Sequence, residues 1–155
     1  MVDYTISPFL VFLADDDAND RILFKDAIDQ LGLKISLKMF NGGVNMLKHL
    51  QDKQNALPDF IFLDLYMPGK NGFECLDEMR ADIRLKKLCV VIYSTSSKLE
   101  DINETLNKGA NLYFAKSSTF QELVNRLGRI FAMDWEEFNS ELCLEKFVLM
   151  DEVRF

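Results

Sequence analysis

Short apolar runs alternate five times with helical patterns in this chain of 155 residues, and this alternation constrains the fold most strongly. We expect a strand at each apolar run: FLVFLA (9–14), ISLKMF (35–40), DFIFLD (59–64), LCVVIYS (88–94) and ANLYFA (110–115). We expect a helix after each strand, within residues 15–32, 42–52, 72–82, 98–109 and 118–134. Five strand–helix repeats imply a parallel sheet with helices on both faces.

Two of these helices have an apolar stripe that predicts their buried face. In the first helix, the stripe comprises Ile22, Leu23, Ala27, Ile28 and Leu31. This helix should be capped by Asp17 or Asn19 and should stop at Gly32. In the last helix, the stripe comprises Phe120, Leu123, Leu127, Ile130 and Phe131.

Composition and charge narrow the class of protein. With 48% hydrophobic and 28% charged residues, the chain is predicted to form one ordinary globular domain, at residues 1–131. A formal net charge of −7 argues against nucleic-acid binding and against docking on an anionic membrane. Residues 132–155 are a short C-terminal extension, which we expect to dock on the domain through Trp135, Phe138 and Phe147 or to bind a partner.

Cysteine and histidine usage narrows the chemistry further. Cys75, Cys89 and Cys143 form no C-x-x-C pair, which is typical of reduced thiols in a cytoplasmic protein. The single histidine, His49, excludes a His-rich zinc site. The apolar run at 9–14 is too short to span a membrane, and no targeting signal is visible.

Polar residues follow four of the predicted strands. Asp15 and Asp16 follow the first strand, Asp64 ends the third, Ser94 ends the fourth and Lys116 follows the fifth. Taken singly, such an Asp is a helix or turn cap, and such a lysine is a solvated charge. However, the carboxyl ends of parallel strands share one edge, where ligands bind. The combination therefore predicts a functional site at that edge.

The residue types at this edge indicate phosphoryl chemistry. Crowded carboxylates repel one another and cannot all stay ionised without a cation. Oxygen-only ligands favour a hard divalent ion such as Mg²⁺, which usually also holds a phosphate. A lysine attracts phosphoryl oxygens, a serine hydroxyl donates to them, and an aspartate carboxylate can form an acyl phosphate. The sequence therefore predicts a magnesium-dependent phosphoryl site that includes Asp64.

Four motifs carry a family resemblance across residues 8–131. They are LADDD (13–17), DLYMPGKNG (64–72), VVIYSTSS (90–97) and GANLYFAKS (109–117). As a set, they resemble the receiver domain of two-component response regulators, the CheY-like family. The resemblance implies an α/β fold of the flavodoxin-like type, with a doubly wound, five-stranded parallel sheet in the order 2-1-3-4-5.

The resemblance also implies a role for each site residue. Asp64 would be the phosphoacceptor, and it would hold Mg²⁺ together with Asp15 and Asp16. Ser94 would sense the phosphoryl group, and Lys116 would pair with it.

Further roles fall on the residues that flank these positions. The backbone carbonyl of Tyr66 would complete the metal shell, and the side chains of Tyr66 and Ser96 would tune phosphoryl loss. Because Tyr66 is bulky, we expect it to obstruct water and lengthen the phosphoryl lifetime. Tyr113 would be the aromatic switch, swinging inward when Ser94 moves, and Thr95 belongs to the same switch. The alternative for Tyr113 is a half-exposed strand aromatic.

The implied function is that of a single-domain response regulator. Its phosphoryl donor would be a sensor histidine kinase or a histidine phosphotransfer protein. Its downstream partner would be a protein that binds the face of helix four, strand five and helix five. We expect no nucleic-acid or membrane partner, a monomer or weak dimer, and no catalysis beyond its own phosphorylation and dephosphorylation.

Two positions depart from the family pattern. Ser117 replaces the usual proline after Lys116, so we expect either a trans bond with a shifted loop or a strained cis bond. Ser94 replaces the more usual threonine.

Other classes remain as alternatives. One is a receiver-like interaction module that works without phosphorylation. Another is an Asp-nucleophile phosphohydrolase, which would need a second Asp where this chain has Tyr66. A third is a flavodoxin, which would need a phosphate loop where this chain has three acids.

Overall fold

The computed structural model describes residues 9–135 and 147–149. The strands are β1 (Phe9–Ala14), β2 (Ile35–Phe40), β3 (Phe60–Leu63), β4 (Val90–Ser94), β5 (Leu112–Ala115) and β6 (Val148–Leu149). The helices are α1 (Ala18–Leu31), α2 (Gly43–Gln51), α3 (Gly72–Ala81), α4 (Leu99–Asn107) and α5 (Phe120–Ala132). Every predicted strand and helix is present, with bounds at or slightly inside the predicted ones. None of the helices in the described ranges is long and apolar enough to cross a membrane.

The sheet is parallel, and its strand order confirms the predicted fold class. The order is β2-β1-β3-β4-β5-β6, so the five predicted strands lie in the order 2-1-3-4-5. The short strand β6 was not predicted; it adds to the outer edge of β5 in parallel register, with Val148 opposite Tyr113.

Two hydrophobic cores lie on opposite faces of the sheet because side chains alternate along each strand. In β1, Val11 and Leu13 enter the core beneath α1 and α5, whereas Phe12 enters the core beneath α2 and α3. The central strands β3 and β4 are buried at every position, as their continuous apolar sequences predicted. This two-sided packing holds their carboxyl ends in fixed positions.

The predicted inward face of α1 is partly wrong. Ile22 is 56% exposed and Leu23 is 45% exposed, whereas Ala27 and Ile28 are buried as predicted. The stripe that packs on the sheet begins two residues later, at Phe24, and the helical period of 3.6 residues then turns Ile22 away from it. Asp17 caps the helix, as predicted, by accepting hydrogen bonds from the amides of Asn19 and Asp20.

The described parts of the C-terminal extension pack on the domain. Trp135 meets the Phe60 ring edge-on at 5.6 Å and donates to the carbonyl of Ile130 at 2.9 Å. Phe147 is fully buried, with its ring centroid 6.2 Å from that of Tyr113. Phe138 and Cys143 lie outside the described residues, and the division at residue 131 stays a prediction.

Candidate functional site

Sheet register brings the two buried acids of the site side by side. Ala14 and Leu63 are paired neighbours at the ends of β1 and β3, so the residues that follow them, Asp15 and Asp64, are neighbours too. The amide of Asp64 donates to the carbonyl of Ala14 at 3.0 Å, which continues the ladder by one step. The polar edge predicted from the sequence therefore exists.

Three carboxylates gather at this edge. One oxygen each from Asp15, Asp16 and Asp64 lie within 4.8 Å of one another. Asp15 is fully buried, Asp64 is 6% exposed and Asp16 is exposed. Buried oxygens at this spacing, with one exposed carboxylate, make an all-oxygen cluster that is open to solvent on one side, as a hydrated hard cation requires.

Lys116 provides the positive charge at the centre of the site. Its Nζ lies 2.8 Å from Asp15 Oδ2, 2.8 Å from Asp20 Oδ2 and 3.7 Å from Asp64 Oδ2. The same ammonium lies 5.2 Å from the centroid of the Tyr93 ring, within cation–π range. The lysine is therefore held by other partners, yet it lies close enough to Asp64 to reach a group placed there.

One oxygen of the cluster is short of a partner. Asp15 Oδ2 is buried and accepts no hydrogen bond from the described residues, because its close approach to Lys116 lacks hydrogen-bond geometry. Asp15 Oδ1, in contrast, accepts from the Asp17 amide at 2.9 Å. A buried carboxylate oxygen without a donor is costly, and a cation ligated there would satisfy it. The residues present therefore fit a divalent metal ion.

Burial and mutual repulsion perturb the charges at this site. Burial raises the pKa of Asp64 to about 6; Lys116 opposes the rise, and the charge on Asp15 adds to it. Burial likewise raises the pKa of Asp15, and Lys116 again opposes it. For Lys116, burial favours the neutral amine, but Asp15 and Asp20 outweigh it and raise the pKa above its ordinary value. The ammonium therefore stays charged at neutral pH.

The turn after Asp64 is shaped by two glycines. Gly69 has a φ of 82°, in the left-handed region that favours glycine. The chain then returns so closely that a Cβ on Gly72 would lie 2.3 Å from the carbonyl oxygen of Asp64. The Gly72 amide donates to the Leu65 carbonyl at 2.8 Å, which closes the turn. This close return explains why the chain turns so sharply after Asp64.

Ser94 and the loop after β4 form the opposite wall. Ser94 is fully buried, and its Oγ accepts from the Ser96 amide at 3.1 Å. The Ser94 carbonyl accepts from the Lys116 amide at 2.7 Å, which ties this loop to the end of β5. Thr95, between the two serines, is exposed.

Tyr113 is fully buried, so the alternative of a half-exposed strand aromatic is wrong. Its hydroxyl donates to the Ser96 carbonyl at 2.7 Å, and its ring packs against Phe147. The ring thus already points inward in this structure, whereas it was expected to swing inward only when Ser94 moves. The switch role of Tyr113 stays a prediction.

The Lys116–Ser117 peptide bond is trans, since the described residues contain no cis bond. Of the two outcomes expected for a chain without the usual proline, this is the one without the strained bond. The lysine nevertheless reaches the acidic cluster, through the side-chain contacts given above.

Sequence reasoning missed several residues around the site. Asp20 was not predicted, although its place in the first turn of α1, four residues after Asp16, was a usable signal. For Tyr93, the apolar run at 88–94 predicts only a place in a strand. Asp101, 6% exposed in α4, was also missed; it accepts hydrogen bonds from Tyr66 and Ser96, both at 2.6 Å. No pattern in the sequence predicts that contact.

The sequence profile described as "Response regulator receiver domain" matches residues 11–128. The chain belongs to this family. The matched segment contains every site residue named above, from Asp15 to Lys116.

Individual relatives agree with this assignment. The chain is 30% identical over 128 residues to chemotaxis protein CheY-3 of Vibrio cholerae, covering 78% of this chain and 90% of that protein. It is 31% identical over 121 residues to chemotaxis protein CheY of Pseudomonas aeruginosa, covering 78% and 94%. It is 27% identical over 127 residues to response regulator Rcp1 of Synechocystis, covering 79% and 86%.

Two solved structures show the same fold as this receiver domain. The phosphorylated cyanobacterial phytochrome response regulator RcpA superposes with a TM-score of 0.73 at 30% identity, covering 80% of this chain and 91% of that one. The Mn²⁺-bound form of response regulator Rcp1 superposes with a TM-score of 0.74 at 26% identity, covering 83% and 96%.

The close return at Gly72 gives a first prediction. Gly72→Ala should lower the free energy of unfolding by about 1–3 kcal/mol, because the added methyl overlaps the backbone that carries Asp64. Urea unfolding of the metal-free protein measures this change. Gly42→Ala is the matched control: its φ of 173° suits any residue and its Cβ would meet no atom within 4 Å, so the loss should stay below about 1 kcal/mol. Equal losses at both positions would contradict the packing argument.

The raised pKa of Asp64 gives a second prediction. Without divalent metal at pH 7, Asp64→Asn should raise the free energy of unfolding by about 1–3 kcal/mol, because it removes a buried charge and keeps the acceptor for the Leu65 amide. The folded protein holds the Asp64 proton more tightly than the unfolded chain does, so the destabilisation by this group is complete above pH 6. It disappears as the pH falls below the usual value of 3.8.

The stability gap between the variant and the parent should therefore shrink from pH 7 to pH 4, which urea unfolding at each pH measures. Adding Mg²⁺ at pH 7 should close the gap from the other side, because the parent gains binding energy that the variant largely lacks. A gap that is independent of both pH and Mg²⁺ would contradict the electrostatic explanation.

Proposed function

We propose that this receiver domain is a phosphoacceptor switch, which takes a phosphoryl group from a phosphohistidine onto Asp64. The observation that carries this proposal is the environment of the Asp64 carboxylate: two further acids beside it and a lysine ammonium 3.7 Å away. A structural turn cap would need neither. Outside its own phosphorylation and dephosphorylation, the domain would catalyse nothing.

Asp15, Asp16 and Asp64 would hold Mg²⁺, with the backbone carbonyl of Tyr66 as a further ligand. The donor set supports a hard divalent cation because every ligand atom is an oxygen. When bound, the ion would neutralise charge on the phosphoryl oxygens. Asp15 Oδ2, which is buried and accepts no hydrogen bond of good geometry from the described residues, supports the same conclusion.

The transfer would be an in-line displacement at phosphorus. An oxygen of the Asp64 carboxylate attacks the phosphorus atom, an O–P bond forms, and the N–P bond to the donor imidazole breaks. The imidazole keeps the electron pair and takes a proton from solvent. Lys116 would pair with the phosphoryl oxygens, and the Ser94 hydroxyl would donate to one of them. Loss of the group would be hydrolysis of the acyl phosphate.

The donor would be a sensor histidine kinase or a histidine phosphotransfer protein, in the cytoplasm. The downstream partner would bind the face of α4, β5 and α5. Pairing of β6 along β5 adds to that proposal, because a partner arriving there meets a β5 edge that the chain's own residues already occupy. The partner surface would then include β6 or require its displacement.

A third prediction tests the phosphoacceptor directly. With Mg²⁺ and a small acyl phosphate donor, the protein should gain one phosphoryl group that is labile to base and hydroxylamine, and Asp64→Asn should gain none. Intact-mass spectrometry measures the gain, and peptide mapping locates it. Lys116→Ala should lower the incorporation rate about tenfold or more, because the ammonium can no longer neutralise the transferring oxygens.

Lys25→Ala is the control for loss of a lysine, because within the described part of the chain the ion pair of Lys25 is with Asp29, on the exposed side of α1. It should incorporate phosphate at the parent rate. Phosphate still found on Asp64→Asn would relocate the acceptor, and an unphosphorylated parent would favour the interaction-module alternative.

A fourth prediction concerns the residue two positions after the acceptor. Tyr66→Asn should shorten the half-life of the acyl phosphate, because a smaller side chain leaves more room for the attacking water. The measurement is the decay of the phosphorylated species after donor removal. A variant that keeps its phosphate as long as the parent does would contradict a shielding role for Tyr66.

A further inference from the structure

A buried carboxylate in α4 joins the two loops that flank Asp64. Asp101 Oδ2 accepts a hydrogen bond from Tyr66 Oη at 2.6 Å and another from Ser96 Oγ at 2.6 Å. Tyr66 comes from the loop after β3, and Ser96 comes from the loop after β4. We call these three residues the Asp101 bridge.

The position of this bridge relates it to the phosphoryl site. Asp64 follows β3 and Ser94 ends β4, and these strands are neighbours in the sheet. The side chain of Tyr66 therefore reaches from the loop after β3 to the first turn of α4, where Asp101 also binds the loop after β4. Its ring rests edge-on against Phe73 at 6.0 Å, and its hydroxyl is fixed only at the Asp101 end.

Asp101 is buried although no cationic side chain in the described residues pairs with it. It is 6% exposed, and within residues 9–135 and 147–149 no lysine, arginine or histidine forms an ion pair with it. Two hydroxyl donors and its place in the first turn of α4 compensate the buried charge instead. The Tyr66 phenol is protonated at neutral pH and donates to this carboxylate.

The bridge also reaches the end of β5. Ser96 accepts from the Tyr113 hydroxyl through its carbonyl, and its amide donates to Ser94 Oγ. One loop residue therefore contacts the serine of the site, the tyrosine of β5 and the carboxylate of α4. A shift of the loop after β4 would change the hydrogen bond between Tyr66 and Asp101.

We propose that Asp101 is a positioning residue that holds Tyr66 across the mouth of the site and thereby lengthens the lifetime of the phosphoryl group on Asp64. This inference rests on the proposed phosphoacceptor function and deepens it. Asp101 does not touch the reacting atoms and acts through the Tyr66 hydroxyl. Tyr66 is 55% exposed even with this bond in place, and among the described residues the bond to Asp101 is the hydrogen bond that fixes its hydroxyl.

The lifetime arm of the test compares Asp101→Ala, Tyr66→Phe and the double variant. Each should shorten the half-life of the acyl phosphate by about three- to tenfold, because each removes the same charge-assisted hydrogen bond. The double variant should show no further shortening, because the two residues act as one unit. A purely structural role for Asp101 predicts instead that its effect persists undiminished in the Tyr66→Phe background.

Glu100→Gln is the matched control, since it removes one negative charge from the same turn of α4 at an exposed position. Its half-life should stay within about twofold of the parent value. A shortening equal to that of Asp101→Ala would overturn the inference, because charge alone would then explain the effect.

The contact arm does not depend on phosphorylation. Fluorotyrosine labelling marks all four tyrosines for ¹⁹F NMR, and Tyr66→Phe assigns the Tyr66 resonance. That resonance should move toward the free-tyrosine position and sharpen in Asp101→Ala, and should stay in place in Glu100→Gln. An unmoved resonance in Asp101→Ala overturns the inference, even if lifetimes change.

The two arms separate the two claims. If the parent takes up phosphate and Asp101→Ala releases the Tyr66 ring without shortening the half-life, the inference fails and the phosphoacceptor function stands. If the parent takes up no phosphate, the proposed function fails, and the lifetime inference fails with it, whereas the Tyr66 contact is judged separately by its resonance.

Discussion

The structure depends most on how the negative charge at the rim of the sheet is tolerated. Asp15 and Asp64 are buried neighbours because the β1–β3 register places them side by side. Like charges so close are compatible with folding only when something opposes their repulsion. Lys116 does so from the end of β5, but burial, the largest cause of the raised pKa of Asp64, adds a cost of ionisation that the lysine offsets only in part. The negative charge that Lys116 leaves unneutralised favours a cation at this edge.

Most of the fold followed from periodicity because burial and sequence pattern agree in a two-sided parallel sheet. The continuous apolar runs at β3 and β4 allow no other placement, and the acids at strand ends then have to meet at one edge. Asp15, Asp64 and Lys116 were therefore placed from sequence alone. The roles assigned to them came from the family motifs, which order and spacing make specific.

What escaped prediction depends on side-chain reach and on weak local signals. Asp20 and Asp101 are helix residues whose side chains contact Lys116 and Tyr66. A helical sequence pattern does not indicate which polar side chain makes such a contact. Ile22 was misplaced because apolar character alone cannot locate a stripe to one residue. The strand β6 has two residues and takes its position from the edge of β5, so no sequence period exists to reveal it.

The burial of Tyr113 would limit what the proposed phosphorylation of Asp64 could change. A ligand shifts a conformational equilibrium only by as much as it binds the two states differently. Here the ring already lies inward, covered by Phe147 and tied to the Ser96 carbonyl, so bringing it inward offers little further gain. The larger difference between the two states then has to arise where a phosphoryl group would replace existing contacts, at Lys116 and Ser94. Because Ser96 contacts Ser94, Asp101 and Tyr113, that difference would reach α4 and β5 through the same loop residue.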